Sequence, residues 1–133
     1  MSQRIVIIGG GFAGVNLAGS LAKNKNFEIT LVDKNNYNFF PPLIYQVSTG
    51  FLDPSSITYP YRNLFLGKEN IHFYMGELQR IVLEEKKVIL DSGALEYDKL
   101  VIATGTKTNF FGLKNLERHA IPMKTVEDAL NMR

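Results

Sequence analysis

The chain has 133 residues, of which 45% are hydrophobic, a formal net charge of +2 and no cysteine. That is length and apolar content for one folded core, without the clustered Lys and Arg of a nucleic-acid footprint. Disulfides, thiolate metal sites and a cysteine nucleophile are excluded within it. The apolar run before Gly9 is too short for a signal peptide, and no stretch approaches the ~20 residues of a membrane span, so a cytoplasmic setting is expected.

The predicted elements begin with a strand over residues 4–8, whose Ile5-Val6-Ile7-Ile8 runs straight into Gly9-Gly10-Gly11-Phe12-Ala13-Gly14. A helix over 11–23 follows, with Ala13, Leu17, Ala18 and Leu21 on its inner side. Asn24-Lys25-Asn26 is a polar turn. Residues 28–32 form a second, almost continuously apolar strand, the pattern of a parallel sheet buried on both faces, and Asp33 ends it. Each part suits a dinucleotide. Gly9 allows the tight turn, Gly11 lets a pyrophosphate approach the backbone, and Gly14 lets helix and strand pack closely. The helix N-terminus, with Phe12 and Ala13 in its first turn, offers amides and partial positive charge to phosphates. Asp33 can accept hydrogen bonds from both ribose hydroxyls. Residues 1–34 therefore read as the first β-α-β unit of a nucleotide-binding domain.

Residues 35–42 read as irregular, with Asn35-Asn36 and Pro41-Pro42 as breakers. A short helix over 43–49 ends at Gly50. Asp53-Pro54-Ser55-Ser56 predicts a cap and a second helix running to about residue 65. From Ile71 the pattern turns to strands: 71–75, 78–83 and 86–90, then a turn at Asp91-Ser92-Gly93 and a short strand at Leu95-Glu96-Tyr97. Residues 99–103 are a further apolar strand leading to Thr104-Gly105. Residues 107–122 read as loop. Thr125 caps a final helix with Glu127 and Asp128 in its first turn. That helix meets Arg133 without a C-cap, so a piece of a longer protein is expected. His72 and His119 stand apart from acids at metal-ligand spacing, and no metal site is expected. Tyr59 and Tyr61 read as packing residues.

The glycine motif, Asp33 and Tyr97-Asp98-Lys99-Leu100-Val101-Ile102-Ala103-Thr104-Gly105 together resemble the two-dinucleotide-binding flavoproteins, in which the first site holds FAD. Asn38-Phe39-Phe40-Pro41-Pro42-Leu43-Ile44-Tyr45-Gln46-Val47-Ser48-Thr49-Gly50, with Tyr59-Pro60-Tyr61-Arg62, looks like the type II NADH dehydrogenases. The likeness runs from Arg4 to the final helix. It implies an α/β fold: a Rossmann-like parallel sheet with an inserted antiparallel β-meander, a partial FAD/NAD(P)-binding fold. Residues 1–133 would be the N-terminal part of the FAD-binding domain. Residues 123–133 would start the linker helix towards an absent NADH domain.

The resemblance further implies that Gly9, Gly11, Phe12, Ala13 and Gly14 line the FAD pyrophosphate. Asp33 holds the adenosine ribose with Lys34 close by, and Pro42 and Leu43 approach the isoalloxazine ring. The Leu78 backbone meets the adenine edge, and Ala103, Thr104 and Gly105 lie over the pyrophosphate and the middle of the cofactor. The parent chemistry is hydride transfer from NADH to flavin and then to quinone, so no catalytic acid or base is named. A second Gly-x-Gly-x-x-Gly does not occur. The resemblance thus implies an absent NADH domain and an absent second FAD segment, so weak or absent FAD and an inactive chain are expected, as is self-association through an uncovered sheet edge. Contact with a membrane surface, peripheral and cytoplasmic, would come only through an absent C-terminus. Two alternatives stay open: another flavin oxidoreductase of the same superfamily, such as a sulfide:quinone or ferredoxin-type reductase, and a non-catalytic nucleotide-binding Rossmann module. Disulfide reductases, which carry a redox cysteine pair after the second strand, are excluded.

Overall fold

Alternation along two central strands decides the architecture. A computed structural model describes residues 2–133. In chain order the elements are β1 (Gln3–Ile8), α1 (Phe12–Leu21), β2 (Phe27–Asp33), β3 (Tyr37–Phe39), α2 (Ile44–Ser48), β4 (Thr58–Pro60) and α3 (Tyr61–Leu64). They continue as β5 (Ile71–Met75), β6 (Leu78–Val82), β7 (Lys87–Leu90), β8 (Gly93–Glu96), β9 (Lys99–Ile102), α4 (Lys114–His119) and α5 (Val126–Met132). The chain forms two compact units, one from residues up to Asn38 with Pro60–Gly105, the other from Phe39–Tyr59 with Thr106–Arg133.

In the first unit β5, β2, β1 and β9 lie side by side in that order, all parallel, with Ile7 opposite both Leu31 and Val101. Odd-numbered Ile5, Ile7, Ile29 and Leu31 pack on one face with Ala18 of α1, Tyr61 and Phe65. Even-numbered Val6, Ile8 and Val32 pack on the other with Val88, Leu90 and Tyr97. Val88 and Leu90 belong to an antiparallel sheet ordered β6-β7-β8 and inserted between β5 and β9, and Tyr97 follows its last strand. Burial on both faces is why Ile5–Ile8 of β1 and Leu31–Val32 of β2 are apolar at consecutive positions rather than alternately. Each fully buried Ile or Val there contributes roughly 1.5–3 kcal/mol.

Two polar devices fix the far end of this sheet. Arg4 and Asp98 exchange backbone bonds: the Arg4 N–H donates to Asp98 Oδ2 at 2.7 Å and the Asp98 N–H to the Arg4 carbonyl at 2.9 Å. The Arg4 amide, and then its charge, hold the Asp98 carboxyl below the usual carboxylate value. Asn70, just before β5, points its Nδ2 at the carbonyls of Ala22, Asn24 and Phe27, at 3.3, 3.2 and 3.1 Å. This ties the exit of α1 to the start of β5.

In the second unit α2 packs on α5, burying Ile44, Val47, Val126 and Ala129. Thr125 caps α5 as expected and does so reciprocally. The Asp128 N–H donates to Thr125 Oγ1 at 3.1 Å and the Thr125 N–H to Asp128 Oδ2 at 2.8 Å.

Three expectations need correction. The helix expected to run from Asp53 to about residue 65 is broken into a 3₁₀ turn Pro54–Ser56, strand β4 and helix α3. Pro60 lacks a donor and drives Tyr59 into extended backbone, so a helix cannot continue through it. The stretch 35–42 contains β3, which pairs with β4. The loop 107–122 contains α4, too short to show a periodic face, with Glu117 in its first turn and Arg118 and His119 in its last, a charge order that suits the helix dipole.

Candidate functional site

The carboxyl ends of the parallel strands bring the chain's glycine turn, its acid and the Ala103-Thr104-Gly105 turn together. The Gly9 N–H donates to the Val32 carbonyl and the Ala103 N–H to the Ile8 carbonyl, each at 2.7 Å. The turn after β1 therefore lies between those after β2 and β9, the crevice position at which open α/β sheets bind ligands. The Gly76 N–H, at the end of β5, reaches the Asp33 carbonyl at 3.0 Å.

The glycines of the motif divide into two kinds. Gly9 has a φ of +105°, and a Cβ there would collide with the Ala103 carbonyl. A Cβ at Gly14 would collide with the Gly9 carbonyl. These two serve the packing of strand, turn and helix. Gly11 differs: its backbone is ordinary, with φ −71° and ψ −167°, it is the N-cap of α1, and a Cβ would meet nothing within 4 Å. The open space lies where the first amides of α1 have no intrahelical acceptor, a place suited to an anion. Phe12 and Ala13 are exposed on this first turn, while Gly14 is buried.

Asp33 is half-buried at the end of β2. Its Oδ2 accepts from the Gly10 N–H at 2.7 Å and its Oδ1 from the Asn35 N–H at 2.9 Å. Each oxygen keeps acceptor capacity for a further donor. Lys34 beside it is exposed. After β9, Ala103 is half-buried, while Thr104 and Gly105 are exposed, Gly105 at φ +70°. Leu78 opens β6 opposite Leu90, and its side chain packs with Val6, Ile8 and Val32 on the other face of the sheet. Pro42 and Leu43 belong to the second unit, in a 3₁₀ turn Pro41–Leu43.

Two further residues of the site lie outside the glycine motif. Tyr61 packs as expected but also reaches the glycine turn: it is 2% exposed, and its hydroxyl donates to the Gly10 carbonyl at 2.8 Å. Its ring stacks on Phe73 with centroids 4.7 Å apart. Asn38 Nδ2 donates to the same carbonyl at 2.7 Å. Gly10, a variable position in the motif, is thereby constrained, because a Cβ on it would collide with the Tyr61 phenol. Tyr61 and Asn38 stand in the stretches that carry the family resemblance, yet no local period points to their contact with Gly10.

Burial, and then the negative charge of Asp33, raise the Tyr61 phenol above its ordinary value of 10.0. The folded chain holds this proton where the unfolded chain has lost it. The linked stability is therefore complete below pH 10 and declines as the pH rises beyond it, by at most ~1.4 kcal/mol per pH unit. Urea unfolding at rising alkaline pH should show a steeper decline in the parent than in Tyr61→Phe. Parallel curves would remove Tyr61 as the source.

The sequence pattern of the pyridine nucleotide-disulphide oxidoreductase family matches residues 3–133. The chain belongs to this family. Within the pyridine nucleotide-disulphide oxidoreductases it is similar to the type II NADH:quinone oxidoreductase NdhA of Mycobacterium tuberculosis. The identity is 37% over 135 residues, covering 98% of this chain and 28% of that protein. A Plasmodium falciparum NDH2, solved in complex with NADH, superposes with a TM-score of 0.88 at 29% identity, over 100% of this chain and 28% of that one. The sulfide:quinone oxidoreductase of Aquifex aeolicus gives a TM-score of 0.86 at 31% identity, over 98% and 30%. The chain thus spans under a third of the length of these relatives. Among the described residues no helix is long and apolar enough to cross a membrane.

Proposed function

We propose that this chain is the FAD-binding N-terminal part of a flavin-dependent, type II NADH:quinone oxidoreductase. The observation that carries the reading is Gly11. It combines open space with the N-terminus of a ten-residue helix at the carboxyl end of a parallel sheet, and Asp33 stands beside it. The flavin, when bound, supplies the hydride chemistry between NADH and quinone. The residues here bind and orient. Amides of Gly11, Ala13 and Gly14 would face the pyrophosphate, and Asp33 would accept from the ribose hydroxyls with the capacity that Gly10 and Asn35 leave it. Ala103, Thr104 and Gly105 would cover the middle of the cofactor, and the Leu78 backbone the adenine edge. The arrangement fits FAD because the one motif glycine without an internal packing role is the one facing open space.

The test is titration of FAD into the chain, followed by flavin fluorescence and absorbance. Saturable, weak uptake is expected, and Asp33→Ala should weaken it by about 10–100-fold, the worth of a charge-assisted pair of hydrogen bonds. If the folded chain leaves flavin fluorescence unchanged, the titration is repeated on the full-length protein, and no uptake there overturns the reading. Equal affinity in Asp33→Ala would remove that residue from the site.

A further inference from the structure

We propose that Tyr61 and Asn38 are positioning residues that aim the Gly11 amide at a phosphate oxygen of the cofactor. This deepens the flavin reading and rests on it. The argument starts from the peptide between Gly10 and Gly11. A trans peptide is planar, and its carbonyl oxygen and amide hydrogen point in opposite directions. Whatever holds the Gly10 carbonyl therefore sets the direction of the Gly11 N–H.

Two side chains hold it. Tyr61 donates from 51 residues away and Asn38 from 28, at 2.8 and 2.7 Å, filling both lone pairs of the one oxygen. The preceding peptide is fixed in the same manner. Asp33 takes the Gly10 N–H, which turns the Gly9 carbonyl the other way, onto Gly14. With the Gly10 carbonyl drawn inward to a buried phenol, the Gly11 N–H points the opposite way, and a Cβ on Gly11 would meet nothing within 4 Å.

The clamp is rigid for identifiable reasons. The Tyr61 ring is buried and stacked on Phe73, so its hydroxyl has little freedom. It is a donor at neutral pH, as any phenol is, and burial extends that state into the alkaline range. Gly10 permits the approach, since any Cβ there would occupy the space of the phenol. An amide aimed before the ligand arrives costs no reorganisation on binding. An unclamped glycine peptide, free to rotate between several backbone states, must pay that cost.

The experiment compares the parent chain with Tyr61→Phe, Asn38→Ala and the double variant, after thermal melting has established that each is folded. Each is titrated with FAD and, separately, with sodium pyrophosphate. The readouts are flavin fluorescence and the backbone ¹H–¹⁵N resonance of Gly11 in labelled protein. Each single variant should weaken FAD about 2–10-fold, and the double more, with the Gly11 shift on anion addition reduced in parallel. A merely structural role would lower the melting point without changing the Gly11 response. An unchanged Gly11 response and unchanged affinity in the double variant overturn the clamp and leave the flavin reading standing. If the parent takes pyrophosphate at Gly11 but not FAD, the clamp is decided by the pyrophosphate series and the flavin reading by FAD titration of the full-length protein. If neither ligand moves Gly11 in the parent, both fail. Should the double variant not fold, Tyr61→Phe, which keeps the ring and its stacking, decides alone.

Discussion

Gly9→Ala is expected to lower the stability of the chain by more than about 3 kcal/mol, enough to leave much of a marginally stable domain unfolded. Two independent costs combine. The backbone at Gly9 has a φ of +105°, which an L-residue rarely adopts. The new Cβ would also overlap the Ala103 carbonyl, which is main chain at the end of a strand and has no rotamer to escape into. Relief requires moving β9 away from β1, yet the Ala103 N–H is bonded to the Ile8 carbonyl at 2.7 Å and Ile8 sits in register with Ile102. Gly14→Ala meets the same kind of obstacle, its Cβ directed at the Gly9 carbonyl. Urea unfolding followed by circular dichroism measures the loss. A Gly9→Ala chain within 1 kcal/mol of the parent would show that the turn is looser than its contacts indicate.

How much of this site could be read from the chain depends on whether its signal was local. The glycine spacing, the apolar strands and Asp33 form one continuous stretch, and their geometry follows from turn sterics and from burial on both faces. Ala103-Thr104-Gly105 is legible locally only as the exit of an apolar strand, and it is the resemblance to the flavoproteins that marks it as part of the site. Asp98 sits in a recognisable stretch, yet its role here is to bond the Arg4 backbone at the opposite end of the sheet from the glycines. Tyr61 and Asn38 were not legible as partners of Gly10. Their contacts span 51 and 28 residues and depend on α3 being placed under the turn, which no local period encodes. The broken helix before Tyr61 has the opposite cause: a local rule, the effect of Pro60 on Tyr59, outweighed the cap at Asp53, whose side chain makes no capping bond. The Leu78 side chain packs against the core beneath the meander, which leaves its backbone for the adenine edge.

Gly11→Val should separate binding from folding at a position two residues from Gly9. The backbone of Gly11 is extended, a conformation valine favours, and the space around a Cβ there is empty to 4 Å. The only structural cost is the poorer N-cap, about 1 kcal/mol or less. The variant should therefore melt within a few degrees of the parent. Its flavin affinity should fall at least ~100-fold, because the two added methyl groups fill the volume through which an anion must approach the Gly11 amide and because they exclude the hydrogen bond that would compensate its desolvation. The pair of measurements is more informative than either alone. If Gly9→Ala unfolds the chain while Gly11→Val folds and does not bind, the two glycines are required by different physics: one by the strand it must pass, the other by the ligand it must admit. If Gly11→Val binds FAD as tightly as the parent, the cofactor's phosphates do not lie at this turn, and the role assigned to the Tyr61 and Asn38 clamp loses its object as well.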